Sequence, residues 1–369
     1  MPLSKAPGEA RQRLARLLER PPAHVDLGRT NTPVERMPAL DVAKARVWVK
    51  RDELCAPLYG GGKVRKLEYV LAQPAYRDGH ILGVGGFGSH QLVALALYLQ
   101  ARGGRLSALL FDQLMTREVR DNLAVTASMV RSSGGRIDRV PHRLALPWAY
   151  MRHRGARAGG RYLTPGASNA VGCLGFVDAA FELAAQIRAG LCPLPSRLYI
   201  TAGTAGSAAG LAIGLALCGV STELRLVSAV EAWAFNPMMM RMKLRETYRE
   251  LRRRGLEGPP RVATLLDAAD LRWSIISDAV GPGYGVPTPS AEAAKKRAAR
   301  VGLALETTYT AKCLAAMLEE LEHGEQIETL GHTTDVMWWN THAGRELNSF
   351  IAPGWRDSLD FDLPPESAP

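Results

Sequence analysis

Apolar positions along this chain follow two alternating rhythms. Short runs rich in β-branched and other apolar residues recur at Arg46–Arg51, Ile81–Gly85, Leu106–Phe111, Ile137–Val140, Arg197–Ala202, Leu224–Val230 and Val336–Asn340, and these predict strands. Between them, apolar residues return at the spacing of a helix face over Val64–Arg77, His90–Gly103, Arg117–Gly134, Ala170–Gly190, Ala205–Gly219, Ala291–Gly302 and Ala311–His323. An amphipathic helix from Gly8 to Arg20 opens the chain and stops at Pro21-Pro22; an extended polar segment, Arg29–Pro38, follows. This alternation predicts an α/β protein whose mainly parallel sheets carry helices on both faces.

The block from Arg65 to Ser168 contains a self-contained set of strand–helix units. Glycine clusters flank it, Gly60–Gly62 on one side and Gly159-Gly160 with Gly166 on the other. The simplest arrangement is a small α/β domain, residues 65–168, inserted into a larger discontinuous domain of residues 1–64 and 169–369. A ligand is then expected in the cleft between them, at the strand carboxyl ends.

With 369 residues the chain exceeds one ordinary core, in keeping with two domains. Its 47% hydrophobic and 22% charged residues are those of a globular protein. The formal net charge of +10 raises nucleic acid as a partner. The arginines argue otherwise: they are scattered, and the densest group, Arg241 to Arg254, has interleaved glutamates and no aromatic stacking array, as on a solvated helix face. Five cysteines form neither a CxxC pair nor metal spacing with histidine, so no metal is expected and a reducing cytosol suits them. The N-terminus has no apolar signal core, and the run Ala205–Val220 is shorter than a bilayer requires. A cytoplasmic protein with neither membrane nor nucleic-acid partner is the expectation. Met238-Met239-Met240 reads as core or dimer packing, and a homodimer is expected.

Candidate chemistry begins at Gly60-Gly-Gly-Lys-Val-Arg-Lys-Leu-Glu68, where a glycine turn delivers Lys63 to the start of a helix. Glycines there leave space beside the lysine for something bulky, and a partly desolvated lysine attacks carbonyls. In Gly83-Val-Gly-Gly-Phe-Gly-Ser-His-Gln91 an apolar strand ends in glycines and a helix begins at Ser89, which serves either as a plain N-cap or as part of a carboxylate site. Thr201-Ala-Gly-Thr-Ala-Gly-Ser-Ala-Ala-Gly210 is again strand, small-residue loop, helix, and Gly203, Thr204, Ala205, Gly206 and Ser207 make an anion nest there. It has neither the lysine of a Walker A loop nor GxGxxG spacing, and suits a single phosphate monoester. Tyr162–Gly172, Gly281–Pro289 with Tyr284, Thr307–Lys312 with Tyr309 and Thr310, and Trp339–Gly344 with Thr341 complete the set. A reactive lysine, a phosphate nest and a carboxylate pocket point to an aldehyde cofactor bearing one phosphate, for which pyridoxal phosphate is the natural choice.

In this order, these segments resemble the fold-type-II pyridoxal-phosphate enzymes (tryptophan synthase β-like). Within them they resemble the D-cysteine desulfhydrase / 1-aminocyclopropane-1-carboxylate deaminase family, over roughly Thr32 to Gly344. The resemblance rests on Gly-Gly-Lys-x-Arg-Lys-Leu-Glu at Lys63, Gly86-Phe-Gly-Ser-His-Gln91, Pro165-Gly-Ala-Ser-Asn169, Gly203–Ser207 and Tyr284-Gly-Val-Pro287. It implies that Lys63 forms an imine with the cofactor and then moves the Cα proton, and that Ser89 and Gln91 bind the substrate carboxylate. Tyr284 and Tyr309 would line the substrate face; His90, Thr310 and Thr341 would join the nest in holding the cofactor.

The family's cyclopropane-opening members carry glutamate after the tyrosine, whereas this chain has Tyr309-Thr310, as in the desulfhydrase-like members. A neutral hydroxyl facing the ring nitrogen favours expulsion of a β-leaving group, so the expected activity is α,β-elimination from a small amino acid, giving an oxoacid and ammonia. The alternatives are 1-aminocyclopropane-1-carboxylate deamination and a pyridoxal-phosphate-binding protein with little catalysis. Glu306, four positions from Thr310, is expected to share a strand face with it. His90 in place of the family's asparagine and Asn340-Thr-His-Ala-Gly344 in place of His-Thr-Gly-Gly are departures in this chain.

Overall fold

The computed structural model describes residues 9–28, 31–42, 44–140, 142, 145–155, 160–323 and 333–365. Gly8 of the opening helix, Arg29 and Thr30 of the polar segment, and Gly159 lie outside these residues. The chain divides into two compact units, residues 1–69 with 168–344 and residues 70–167 with 345–369.

The larger unit contains strands β1 (Val34–Arg36) and β2 (Ala45–Arg51), and the smaller contains β3 (His80–Gly86), β4 (Arg105–Phe111), β5 (Ile137–Val140) and β6 (Arg161–Tyr162). The larger unit then adds β7 (Arg197–Ala202), β8 (Glu223–Ser228), β9 (Arg272–Ile276) and β10 (Thr334–Asn340). Among the described residues its six strands lie in the order β1-β2-β10-β7-β8-β9, with only β1 antiparallel to its neighbour. β10 is central and buried along almost its whole length. Val336 and Trp338 enter a core with Val47 and Leu314, while Met337 and Trp339 enter a second core with Leu198 and Phe176 on the other face. That alternation, with period two, is why this strand has apolar residues on both sides.

The helices of this unit are α1 (Glu9–Arg16) and α2 (Gly62–Val70); α3 (His90–Gln100), α4 (Arg117–Ser132) and α5 (Leu146–Gly155) belong to the smaller unit. α6 (Ala170–Arg188), α7 (Gly206–Leu217), α8 (Pro237–Arg253), α9 (Val262–Ala268), α10 (Pro289–Ala299) and α11 (Thr310–His323) complete the larger one. α6, not the run at 205–220, has the length and apolarity of a membrane span, but in this fold it is a core helix with Phe176, Val177 and Leu183 at 0% exposure. Along α8 the three methionines part: Met240 is buried, while Met238 is 61% exposed.

In the smaller unit four parallel strands run β5-β4-β3-β6. Two boundaries differ from expectation. α2 remains with the larger unit as far as Tyr69, because Arg65, Lys66 and Tyr69 all bond there, to Asp52, Ser168 and Asp178. The C-terminal segment from Arg345, expected with the larger domain, belongs to the smaller unit. Its Ala352 N donates to Ser128 Oγ at 2.9 Å, Arg131 donates to Gly354 O at 3.2 Å, and Phe361 stacks on Phe87 at 5.9 Å between ring centres.

Candidate active site

In the larger sheet Arg51, Asn340 and the last residues of β7 stand side by side at the strand carboxyl ends. The segments that leave there are those carrying Lys63, Thr341 and the 203–205 turn, so the topology gathers three expected elements at one edge. Gly61 N donates to Asp52 O at 2.9 Å and Gly62 N to Thr341 O at 3.1 Å, which stitches the lysine turn to β2 and to the end of β10. The glycines let the turn pack tightly on its neighbours. A Cβ on Gly60 would lie 2.0 Å from Glu53 O, and one on Gly61 (φ 84°) 2.6 Å from Thr341 O. Neighbouring backbone occupies the space a side chain at either position would need.

Beneath the turn lies a buried cluster of four charges. Arg65 pairs with Asp52 at 2.7 Å and with Glu182 at 3.0 Å, and Lys50 pairs with Glu182. Trp339 Nε1 donates to Asp52 Oδ2 at 2.7 Å. Burial alone would raise the Glu182 pKa; Arg65 and Lys50 outweigh it and hold the carboxyl well below its ordinary range. Arg65 thereby anchors one side of α2, and Lys63, two residues earlier, projects from another. Lys63 is partly exposed, yet desolvation pulls its ammonium below the ordinary lysine pKa while Glu306 acts in the opposite direction. A lysine so placed is nearer its nucleophilic, neutral form.

The 203–205 turn is a cradle. Ala205 adopts a left-handed conformation (φ 60°) as N-cap of α7, which aims that helix's first N–H groups into the turn. Ser168 Oγ lies 2.6 Å from Thr204 Oγ1 and accepts from Lys66 Nζ at 2.9 Å. A Cβ on Gly206 would fall 2.3 Å from Ser168 Oγ and 2.9 Å from Lys66 Nζ, so glycine is required there. Ser207 is half-buried in the first turn of α7. Lys66 is 1% exposed, and desolvation, with neighbouring Lys63, lowers its pKa to about 7. Lys66 and Ser168 carry no role in the sequence reading. The available signal was spacing, since Lys63 and Lys66 stand three apart on one helix face.

Beside the cradle, Tyr284 Oη lies 2.5 Å from Tyr309 Oη with the rings at 67°, and a Cβ on Gly203 would be 3.9 Å from the Tyr309 ring. Glu306 is not on a strand with Thr310. It caps the start of α11, accepting from the backbone N–H groups of Thr308, Tyr309 and Thr310 and, at 3.0 Å, from the Thr310 hydroxyl.

The remaining expected residues lie in the smaller unit. Ser89 N-caps α3, accepting from Leu92 N at 3.4 Å. Gln91 is not a freely presented carboxylate ligand: its Nε2 donates to Thr164 O at 3.2 Å and its Oε1 accepts from Gly166 N, so the amide braces α3 against the 164–166 turn. The His90 Nε2 lies 3.5 Å from Asn122 Nδ2 and 3.8 Å from Glu118 Oε1.

A family profile described as pyridoxal-phosphate dependent enzyme matches residues 25–330. This chain belongs to that family. The pyridoxal-phosphate enzyme is 30% identical over 341 residues to nocardicin C-9' epimerase from Nocardia uniformis subsp. tsuyamanensis, covering 87% of this chain and 93% of the relative. Among solved structures it resembles an ACC deaminase homologue (TM-score 0.68, 22% identity, 93% of this chain and 100% of that one). It also resembles the Escherichia coli diaminopropionate ammonia lyase in apo form (TM-score 0.57, 12% identity, 93% and 90%). At such identities the structures establish the fold alone, parallel sheets flanked by helices, and the profile makes it that of a fold-type-II pyridoxal-phosphate enzyme.

The cradle's donor set fits the cofactor of this family. A buried lysine, two hydroxyls and a helix N-terminus converge where Gly206 leaves no room for a side chain, and such a set suits a phosphate.

Proposed function

We propose that this enzyme removes the Cα proton of a small amino acid and expels a group from Cβ, giving an oxoacid and ammonia. Lys66, Ser168, Thr204 and the start of α7 would hold the cofactor's phosphate, with Lys63 as the covalent anchor and Thr310 as the group facing the ring nitrogen. When bound, pyridoxal phosphate supplies an electron sink for the pair left at Cα. Lys63, its ammonium disfavoured by burial, takes the Cα proton. The electron pair then forms the Cα–Cβ double bond as the leaving group departs. The observation that carries elimination is the Tyr284–Tyr309 hydroxyl pair, because in a hydrogen-bonded pair one hydroxyl can hand its proton to the departing group while the other donates to the oxygen left behind. The resulting enamine takes up water to yield the oxoacid and ammonia. Ser89 remains the proposed contact for the substrate carboxylate.

A specific observation favours a second reading, epimerisation at Cα. The Thr310 hydroxyl donates to Glu306, so its oxygen offers an acceptor to a protonated ring nitrogen, which suits a longer-lived carbanion returned to by a proton. The 30% identical relative is named an epimerase.

One experiment separates the two. The holoenzyme is mixed in D2O with D-cysteine, L-cysteine, β-chloroalanine or 1-aminocyclopropane-1-carboxylate, and oxoacid, Cα deuteration and handedness are followed together. Oxoacid from a substrate with a β-leaving group supports elimination. Deuteration with inversion and no oxoacid supports epimerisation.

A further inference from the structure

The loop that carries Tyr284 has no ladder of its own. After the short turn Asp278–Val280, Gly281 takes φ 62° and ψ −140° and Gly285 takes φ 78°, so neither helix nor strand geometry fixes the tyrosine between them. Beside one turn bond, Val286 N to Gly283 O at 3.2 Å, two charged side chains do so. Lys312, in the first turn of α11 and 1% exposed, donates to Val280 O at 2.6 Å and to Gly283 O at 3.4 Å. Glu231, just past the end of β8, accepts from Tyr284 N at 3.1 Å.

Gly283 O and Tyr284 N–H are the two ends of a single peptide group. The Lys312 cation joins the Val286 N–H on its oxygen and an anion takes its hydrogen, each matched to the sign of the peptide dipole, and the group is planar, so its orientation is set from both sides. The Tyr284 side chain swings from the Cα that directly follows this plane. A buried lysine in the first turn of a helix is otherwise disfavoured twice, by desolvation and by the positive end of the helix dipole. Burial does lower the Lys312 pKa, with Glu306 and Glu231 opposing it. The same short helix start thus carries Tyr309, the cap Glu306 and the clamp for Tyr284.

We infer that Lys312 and Glu231 are positioning residues for Tyr284, locking the Gly283–Tyr284 peptide so that the Tyr284 hydroxyl stays on that of Tyr309. Any effect on turnover rests on the proposed proton path through Tyr284; the geometric claim is read separately.

The test is fluorine NMR of the cofactor-loaded protein labelled with 3-fluorotyrosine. The Tyr284 resonance is identified by its loss in Tyr284→Phe. Lys312→Met, which keeps the length and removes the charge, is expected to move or split that resonance. Glu231→Gln is expected to move it less, and Lys312→Arg to leave it near the wild-type position. Visible absorbance and the thermal midpoint establish that each variant folds and holds cofactor. Turnover in Lys312→Met should fall about tenfold, but less than about twofold in a Tyr284→Phe background, since coupled residues do not add. An unmoved Tyr284 resonance in Lys312→Met overturns the inference; equal losses in both backgrounds with the resonance moved overturn the proton-path reading alone. Should Lys312→Met not fold, Glu231→Gln carries the same readings. If the resonance moves while Tyr284→Phe turns over normally, the positioning stands and the proton-path reading falls.

Discussion

Lys66 donates to Ser168 Oγ across 2.9 Å, tying the face of α2 that also carries Lys63 to the residue before the N-cap of α6. This bond places a buried ammonium at the mouth of the Gly203–Gly206 turn, where nothing in the local sequence advertises a cation.

Removing that ammonium should weaken cofactor binding more than folding. Lys66→Met is expected to lower pyridoxal phosphate affinity by about 1.5–3 kcal/mol, the worth of a hydrogen bond to a charged group, while the thermal midpoint of the apoprotein holds or rises. Equilibrium titration of the cofactor's absorbance checks the first part and a thermal melt the second.

The pH dependence follows from the same group. The folded pKa of Lys66, about 7, lies below its ordinary 10.5, so between these values the unfolded chain binds the extra proton. Apoprotein stability from this group therefore rises as pH increases from about 7 to 10.5 and is flat below. Binding of a phosphate dianion favours the protonated lysine, so cofactor binding at pH 8 should take up a proton in wild type and less of one in Lys66→Met. Calorimetry in buffers of different ionisation enthalpy measures this uptake.

The Arg65–Asp52–Glu182–Lys50 cluster gives a stability prediction with its own sign. Deleting one partner strands a buried charge, so Arg65→Met should destabilise by about 3–5 kcal/mol, read from urea unfolding. The depressed Glu182 pKa means that its contribution is present above the ordinary carboxylate range and is lost as pH falls toward the folded value. The acid side of the wild-type stability profile should therefore flatten in Glu182→Gln.

The tyrosine pair predicts a non-additive series. Tyr284→Phe and Tyr309→Phe should each lower turnover by about 10²–10⁴-fold, the range for a positioned acid or base. Because the two hydroxyls share one hydrogen bond, the double variant should lose scarcely more than the worse single. Multiplying losses would separate their roles.

Much of this was legible in the chain. Seven strands and most of the helices between them followed from apolar period, because parallel strands buried on both faces have unbroken apolar runs, while α5 and α9 did not. β1, β6 and β9 escaped: β1 and β6 are very short, and β9, Arg-Trp-Ser-Ile-Ile, is a half-exposed edge strand with weak patterning. Lys63 and the nest at Gly203–Ser207 were readable as local motifs. Lys66 with Ser168, the Glu306 cap on α11 and the Lys312 clamp were not, since each meets a partner that the fold supplies. Gln91 shows the reverse case, a motif residue whose amide the fold spends on the 164–166 turn.

The most direct test of the central claim is the visible absorbance of purified protein incubated with pyridoxal phosphate and then desalted. Wild type should retain a yellow band that borohydride fixes to a peptide containing Lys63, and Lys63→Ala should lose that band while still melting cooperatively. A wild type that stays colourless, or a band that survives in Lys63→Ala and maps to another lysine, would contradict the account.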